Sequence, residues 1–437
     1  MRTIEIGLLG AGNVGGGVVR ILRQNRDAIE GRLGARVTIK RVLVRTLDRQ
    51  RDVPIDAGLL TTDASLVISD PKVRVVVELI GGIEPAKTLV LEAMRRGKHV
   101  VTANKALLAE HGRELFDEAA RNGVSIFFEG SVAGGIPVLR ALREGLASDT
   151  IETLTGIVNG TSNYILDAMA RTGASYESAL SSAQEAGYAE ADPTLDVTGR
   201  DSAQKLALLA LVSFGARVDP SAIPTEGITS IRSFDHAMAR DLGYVIKSLA
   251  VARQDDEGFH LAVHPTLVPR GHLLANVQGA FNAVLVQSSA LGESLYYGQG
   301  AGMMPTGMAV VSDLVEVCRG VLGFAEGGPP PQAFASIVDA TPVPPTDERC
   351  ENYLCVQVPN VPGVLGKVAT CLGQHAISIK RVFQDTAAKE ASVDLVVITE
   401  RAREADVAEA LAALAELAEV LGPVARLRVL DAANASG

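Results

Sequence analysis

Residues 3–17 read Thr3-Ile-Glu-Ile-Gly-Leu-Leu-Gly-Ala-Gly-Asn-Val-Gly-Gly-Gly17, and their order decides the fold. Thr3–Leu9 has the composition of a short buried strand. Gly10–Gly17 is a glycine loop, and Val14 to about Ala28 follows as a helix. Within the loop, Gly10-Ala-Gly12-Asn13-Val14-Gly15 is a G-x-G-x-x-G run placed directly after a strand and opening a helix. In that context the first glycine permits the tight turn. The second lets the backbone approach a pyrophosphate, and the third allows close helix packing. The helix N-terminus adds N–H groups and a positive dipole end. Residues Gly10, Gly12, Asn13, Val14 and Gly15 are therefore expected to contact a dinucleotide.

Working outward, Arg36–Val44 and the β-branched run Val73–Ile80 read as further strands. Glu84–Arg96 reads as a helix, Gly97–Thr102 as a strand, Ala106–Asn122 as a helix and Val124–Glu129 as a strand. Continuous aliphatic strands alternating with helices imply an α/β, Rossmann-type doubly wound parallel sheet over residues 1–134. The second strand ends Val42-Leu43-Val44-Arg45-Thr46, without the acidic residue that bonds the ribose 2′-OH of NAD. Arg45 is placed to meet a 2′-phosphate, with Arg49 and Arg51 nearby, so NADP is the preferred cofactor and NAD a possible one. The alternative is that Arg45 only stacks on the adenine.

The character changes after Gly134. Strand-like segments at Asp149–Asn159, Leu242–Ala252, His260–Leu267 and Val284–Ser289 mix with helices at Thr161–Arg171, Tyr176–Glu185 and Ser202–Gly215. This predicts an α+β substrate and dimerisation domain over 135–303, followed by a helix over 304–322 that returns to the first domain. Residues 323–349 are proline-rich and read as a linker. The remainder, 350–432, gives strand Asn352–Val358, helix Gly363–Gln374, strands Ile377–Gln384 and Ala391–Thr399, helix Glu404–Leu417 and strand Val424–Leu430. That βαββαβ order is ferredoxin-like, and Asn434–Gly437 reads as a frayed tail.

Composition removes several function classes. Of 437 residues, 41 are Lys or Arg and 51 Asp or Glu, for a formal charge of -10. An acidic chain lacks the basic footprint a nucleic-acid binder needs. No apolar run approaches the length of a membrane span, and the apolar part of the N-terminus is too short for a signal peptide. A cytoplasmic location is expected. Cys318, Cys350, Cys355 and Cys371 form no CxxC pair and read as isolated thiols. His260 and His264 lie in an alternating stretch and read as packing or surface residues.

Chemistry concentrates in Gly187–Lys205, GYAEADPTLDVTGRDSAQK, where Glu190, Asp192, Asp196 and Asp201 precede one lysine, Lys205. By itself this could be a solvated acidic loop capping a helix. The Asp201/Lys205 pair at i and i+4 could equally be a surface ion pair worth about 0.3–0.5 kcal/mol.

The surrounding motifs resemble one family over nearly the whole chain. ELIGG (Glu78–Gly82), TANK (Thr102–Lys105), EGSVAGGIP (Glu129–Pro137), NGTSNYIL (Asn159–Leu166), EAGYAEADP (Glu185–Pro193), Asp201-x-x-x-Lys205 and GAGMMPT (Gly300–Thr306) occur in the order seen in homoserine dehydrogenases, and the C-terminal unit resembles an ACT regulatory domain. The resemblance implies reversible reduction of L-aspartate 4-semialdehyde to L-homoserine by NAD(P)H, a step toward threonine, methionine and isoleucine. It implies Lys205 as proton donor to the carbonyl oxygen and Lys105 as a second active-site lysine near nicotinamide and substrate. Glu190 and Asp201 become substrate-binding acids, and Gly187 and Gly302 cofactor contacts. The chemistry agrees, since hydride arriving at an aldehyde leaves charge on oxygen that an ammonium can stabilise and protonate. Two ammoniums in one pocket would also disfavour each other's charge, letting one act as base in the reverse direction.

Three further implications come from the same resemblance. The main-chain oxygens of Glu129, Val132, Gly134 and Ile136 would hold a monovalent cation, Na⁺ or K⁺; carbonyl ligation suits a hard ion better than zinc. The same segment also reads as a glycine-rich hinge between domains. In the C-terminal unit, Asn360, Gly363, Val364 and Leu365 would meet an amino-acid effector, with threonine the candidate; the alternative is a domain that only oligomerises. The subunits would form a homodimer or homotetramer. No N-terminal kinase-like region is present, so aspartokinase activity is not expected. Competing readings are another NADP-dependent oxidoreductase of amino-acid metabolism and a non-enzymatic cofactor-binding sensor. A phosphorylating semialdehyde dehydrogenase is disfavoured because no cysteine precedes Cys318.

Overall fold

The computed structural model describes residues 2–322, 338–384 and 391–430. The first domain is a six-stranded parallel sheet in the order β3-β2-β1-β4-β5-β6, with β1 Arg2–Leu9, β2 Ala35–Leu43, β3 Leu60–Thr61, β4 Val73–Glu78, β5 His99–Thr102 and β6 Ile126–Phe127. The order reverses between β1 and β4, which opens a crevice at the carboxyl ends of those strands. Aliphatic residues bury both faces: Ile6, Leu8 and Val75–Val77 are all solvent-free. The helix after β1 is shorter than its sequence suggests. It spans Asn13–Gln24 and breaks at Asn25 before a second helix, Arg26–Leu33. The last strand is also shorter, because Glu129–Ser131 turns into a 3₁₀ segment.

The expected returning helix is Met303–Val321. It lies backbone against backbone on Asn13–Gln24, so a Cβ added at Gly17 would sit 2.1 Å from the Met303 carbonyl oxygen. Only glycine permits that approach, and Val310, Leu314 and Val317 complete the core beneath.

The second domain is built on a mixed sheet containing Ile151–Ile157, Tyr244–Asp255, Gly258–Pro269 and Phe281–Ser288. The longest elements unread in the sequence are the helix Ser233–Asp241, which precedes the strand expected from Leu242, and the edge strand Gly292–Gln299. The C-terminal unit has the expected βαββαβ order: Asn352–Pro359, Val364–Gln374, Ile379–Gln384, Ser392–Thr399, Glu404–Ala415 and Ala425–Val429. Its sheet is not separate. Ala425–Val429 pairs in parallel with Gly258–Pro269 through Thr266–Arg428 and Leu267–Val429, making one nine-stranded sheet. Arg428 also reaches Glu226 at 2.9 Å and Glu404 at 2.8 Å.

The expected linker is partly docked. Residues 323–337 lie outside the described residues, as does the tail from 431, but Val338–Asp339 pairs with Ala216–Arg217. Asp339 is held by Arg113 and Arg217, and the Val343 N–H donates to the Phe259 carbonyl. All four cysteines are free thiols, with Cys318, Cys355 and Cys371 buried. His260 is buried against Asp255 and Glu348 and His264 bonds Thr266, in keeping with packing roles. Among the described residues no helix is long and apolar enough to cross a membrane.

Candidate active site at the domain junction

Lys105 is the first residue of the helix Lys105–Arg121, at the carboxyl end of β5. Asp201 and Lys205 lie one turn apart on the helix Arg200–Phe214 of the second domain. The fold brings these three together. Asp201 Oδ1 is 3.2 Å from Lys105 Nζ, and Asp201 Oδ2 is 2.6 Å from Lys205 Nζ. Lys205 Nζ also donates to the Val158 carbonyl at 2.7 Å. The Asp201 side chain is only 8% exposed. Burial alone would raise its pKa, but the Lys205 and Lys105 ammoniums and the bonds from Lys205 and Asn159 hold it well below the usual carboxylate range. Asp201 stands between the two ammoniums and offsets the repulsion expected of two lysines in one pocket.

Asn159 is the residue that sequence reasoning passed over. Its Nδ2 donates to Asp201 Oδ2 at 2.8 Å and to Asp196 Oδ1 at 2.7 Å. Its Oδ1 accepts the Ser162 N–H, capping the helix Gly160–Thr172. An Asn three residues before a Ser ahead of an apolar helix is a readable capping signal. Its second duty is invisible in sequence, because Asp196 and Asp201 lie 37 and 42 residues away. Two further bonds pin the acidic loop: Thr161 Oγ1 donates to the Tyr188 carbonyl, and Ser162 Oγ to the Asp196 carbonyl. Burial raises the Asp196 pKa, with Asp201 adding to it and the Asn159 bond opposing it. Asp192 shapes the loop by accepting from the Thr194 N–H and hydroxyl.

Glu190 stays outside this cluster. It is exposed on the loop, and its carboxylate has no partner among the described residues. Gly187 is exposed at the end of the helix Tyr176–Glu185, with φ +76°.

The dinucleotide loop is shaped by close approach. A Cβ at Gly10 would lie 2.6 Å from the Leu79 oxygen, and one at Gly15 would lie 2.4 Å from the Gly10 oxygen. At Gly12 a Cβ would meet nothing within 4 Å, so that face is open. The helix Asn13–Gln24 has no side-chain cap and no acid in its first turn. Uncapped N–H groups beside an open glycine fit a pyrophosphate. Arg45 is exposed just past β2, while Arg51 is spent on the carbonyls of Thr46, Leu47 and Arg49. Gly302, with φ +131°, caps the returning helix next to the same domain junction.

The loop expected to hold a cation is buried from Glu129 to Gly134. Among the described residues the carbonyls of Val132 and Gly134 accept no hydrogen bond. Those of Glu129 and Ile136 accept from Val132 (3.4 Å) and Val138 (2.8 Å). No group of three or more His, Cys, Asp or Glu side chains suits a metal among the described residues. Two buried, unpartnered carbonyls fit main-chain ligation of a hard cation. The Glu129 side chain is used otherwise, accepting the N–H groups of Leu139 and Arg140.

In the C-terminal unit, Asn360, Gly363, Val364 and Leu365 line a cavity of about 330 Å³ together with Val358 and Gln384. Gly363 caps the helix Val364–Gln374 with φ +93°. This cavity is separate from the lysine–aspartate cluster.

The chain is similar to known proteins over nearly its whole length. The family model for the homoserine dehydrogenase NAD-binding domain matches residues 10–129, that for homoserine dehydrogenase itself residues 137–315, and that for the ACT domain residues 353–419. A homoserine dehydrogenase from Pseudomonas aeruginosa is 45% identical over 433 residues, covering 98% of this chain and 99% of its own. The chain belongs to the homoserine dehydrogenase family. A Bacillus subtilis homoserine dehydrogenase is 42% identical over 422 residues, covering 95% of this chain and 96% of its own. The crystal structure of a homoserine dehydrogenase from Thiobacillus denitrificans matches with a TM-score of 0.92 and 44% identity over 99% of each chain. Family membership makes the chain an oxidoreductase that interconverts homoserine and aspartate 4-semialdehyde with a nicotinamide dinucleotide. It carries an ACT domain of the kind associated with amino-acid regulation.

Proposed function

We propose that Lys205 is the proton donor of this reaction, with Lys105 as the second active-site lysine and NADP(H) as the preferred dinucleotide. The observation that carries the proposal is the Lys105–Asp201–Lys205 cluster, assembled from both domains. An ammonium has three donors. Asp201 and the Val158 carbonyl take two from Lys205, which leaves one for the carbonyl oxygen of the semialdehyde. The dinucleotide supplies the hydride. Lys205 meets the charge developing on the substrate oxygen and protonates it. Lys105, with 36% of its side chain exposed, faces the open junction where nicotinamide and substrate would meet. Asp201 holds both ammoniums and is a substrate-binding acid. Glu190, with its carboxylate free on the exposed acidic loop, suits the substrate α-ammonium. Gly187 and Gly302 are proposed cofactor contacts, and Arg45 the group that selects the 2′-phosphate.

The same reading has the carbonyls of Glu129, Val132, Gly134 and Ile136 binding Na⁺ or K⁺ at the junction. It has threonine acting through Asn360, Gly363, Val364 and Leu365, and the chain working as a homodimer or homotetramer. Support for a regulatory link is a shared core: Tyr353 and Val396 of the ACT sheet pack in one cluster with Val197 and Ala189 of the acidic loop.

The test is NADPH oxidation with aspartate 4-semialdehyde. Lys205→Ala is expected to collapse kcat while NADPH still binds, and wild-type turnover in that variant would remove the assignment. Arg45→Ala is expected to lower the NADPH-to-NADH preference in kcat/KM roughly tenfold, the value of one charge-assisted hydrogen bond.

A further inference from the structure

Glu78 ends β4 and is completely buried. A carboxylate cut off from water needs a partner for each oxygen. Among the described residues none of those partners is a cation. Oε1 accepts the N–H groups of Ile80 (2.7 Å) and Gly81 (3.2 Å), and Oε2 accepts the Thr102 hydroxyl (2.6 Å). Thr102 is directly across the ladder from Glu78, at the end of β5. Its Oγ1 in turn accepts the Asn104 N–H at 3.0 Å. Asn104 then acts in two directions. Its Oδ1 accepts the Leu107 N–H and caps the helix that Lys105 begins, while its Nδ2 donates to the Gly82 carbonyl at 2.7 Å.

These bonds close a loop. One side holds the Ile80–Gly82 turn, which follows the Leu79 carbonyl packed under Gly10 of the dinucleotide loop. The other side sets where the Lys105 helix starts, and so where its ammonium meets Asp201 across the junction. An aliphatic residue would pack in the same space at lower desolvation cost. What the carboxylate adds is three fixed acceptor directions shared between the two sides.

We infer that Glu78 is a positioning residue for Lys105, acting through Thr102 and Asn104 and tying that lysine to the dinucleotide loop. The inference rests on the role given to Lys105 above. Glutamine cannot replace Glu78 in kind. With its amide oxygen toward Ile80 and Gly81, its NH₂ must donate to Thr102, whose hydroxyl hydrogen then loses its acceptor.

The experiment is a double-mutant cycle on the full-length enzyme, read by single-turnover rates, steady-state kcat and KM, NADPH titration and thermal unfolding. Thr102→Val removes the hydroxyl from the relay. It is expected to lower kcat on the order of 10–100-fold, the effect of a misplacement near 1 Å. NADPH affinity should change little, and Thr102→Ser should restore most of the rate. In a Lys105→Ala background, Thr102→Val should have no further effect, because the group it positions is gone. Full kcat in Thr102→Val, no rescue by Thr102→Ser, or an undiminished loss in the Lys105→Ala background would each overturn the inference. If Thr102→Val does not fold, Glu78→Gln is carried through the same cycle: kcat is expected to fall, with no further effect in the Lys105→Ala background, and full kcat or an undiminished loss in that background would overturn the inference. Wild-type turnover in Lys105→Ala alone would instead sink the assigned role of Lys105, a result distinct from failure of the relay.

Discussion

Two stretches of this chain share one local design. Residues 2–24 and 352–374 each run strand, glycine-containing loop, helix, and each helix starts without a side-chain cap or an acid in its first turn. Their surroundings differ. The first loop is pressed between Leu79 and the returning helix, so Gly10 and Gly17 are demanded by atoms from elsewhere in the chain, and Gly15 by the Gly10 carbonyl that this packing holds in place. The second loop stands open. A Cβ at Gly363 or Gly366 would meet nothing within 4 Å, and Val361 and Leu365 are 56% and 43% exposed. Gly363 is required only by its own backbone angle. A helix N-terminus can attract an anion in either place. Packing makes the first a rigid cradle and leaves the second a surface that a ligand or neighbour can complete.

The comparison breaks first at Gly15. Gly15→Ala pushes a methyl into the Gly10 carbonyl, so the loop must shift by about an ångström. NADPH affinity in a fluorescence titration should fall on the order of 10²-fold. The same substitution at Gly363 should leave NADPH binding intact, cost about 1–2 kcal/mol in chemical denaturation and blunt any response to threonine. An equal loss of NADPH affinity in the two variants would dissolve the contrast.

Acid should also separate the regions. Burial would raise the Glu404 pKa, but hydrogen bonds and charge from Arg428 and Arg426 hold it at about 2, below its ordinary 4.5. The stabilisation from this group is complete above pH 4.5 and is lost as pH falls from 4.5 toward 2. Amide exchange should therefore open Ala425–Val429 in that window, and Glu404→Gln should remove this pH dependence. The smallest effect belongs to Gly366→Ala, inside an open helix. It should stabilise by about 0.5–1 kcal/mol in thermal unfolding without altering turnover; destabilisation would mean that this face is packed after all.

Much of the fold was legible because each signal is local. Aliphatic runs alternating with helical segments marked the parallel strands, and the βαββαβ order of the C-terminal unit was readable from alternation alone. Elements without a strong local period were not. The helix Ser233–Asp241 is polar over much of its length, and Gly292–Gln299 is a half-exposed edge strand. The proline-rich connection read as a linker by composition, yet Asp339 is held by two arginines, one from the helix Lys105–Arg121 and one from the strand Ala216–Arg217. In the candidate site, Lys105, Asp201 and Lys205 were visible as residue types within motifs. Asn159 and Glu78 were visible only as members of a strand and of the motifs Asn159–Leu166 and Glu78–Gly82, because the bonds to Asp196, Asp201 and Thr102 that give them their part in the site cross tens of residues.

The sequence by itself determined the dinucleotide loop, the order of elements and the identity of the acids and lysines. Those follow from backbone preference, hydrophobic period and side-chain chemistry within a few residues. Only the tertiary structure decided that Asp201 stands between two lysines from different domains, and that Asn159 and Glu78 hold that arrangement. It also decided that the C-terminal sheet continues the catalytic one. The physical reason is that a buried charge is stable only where its partners converge on it, and convergence is a property of the folded chain.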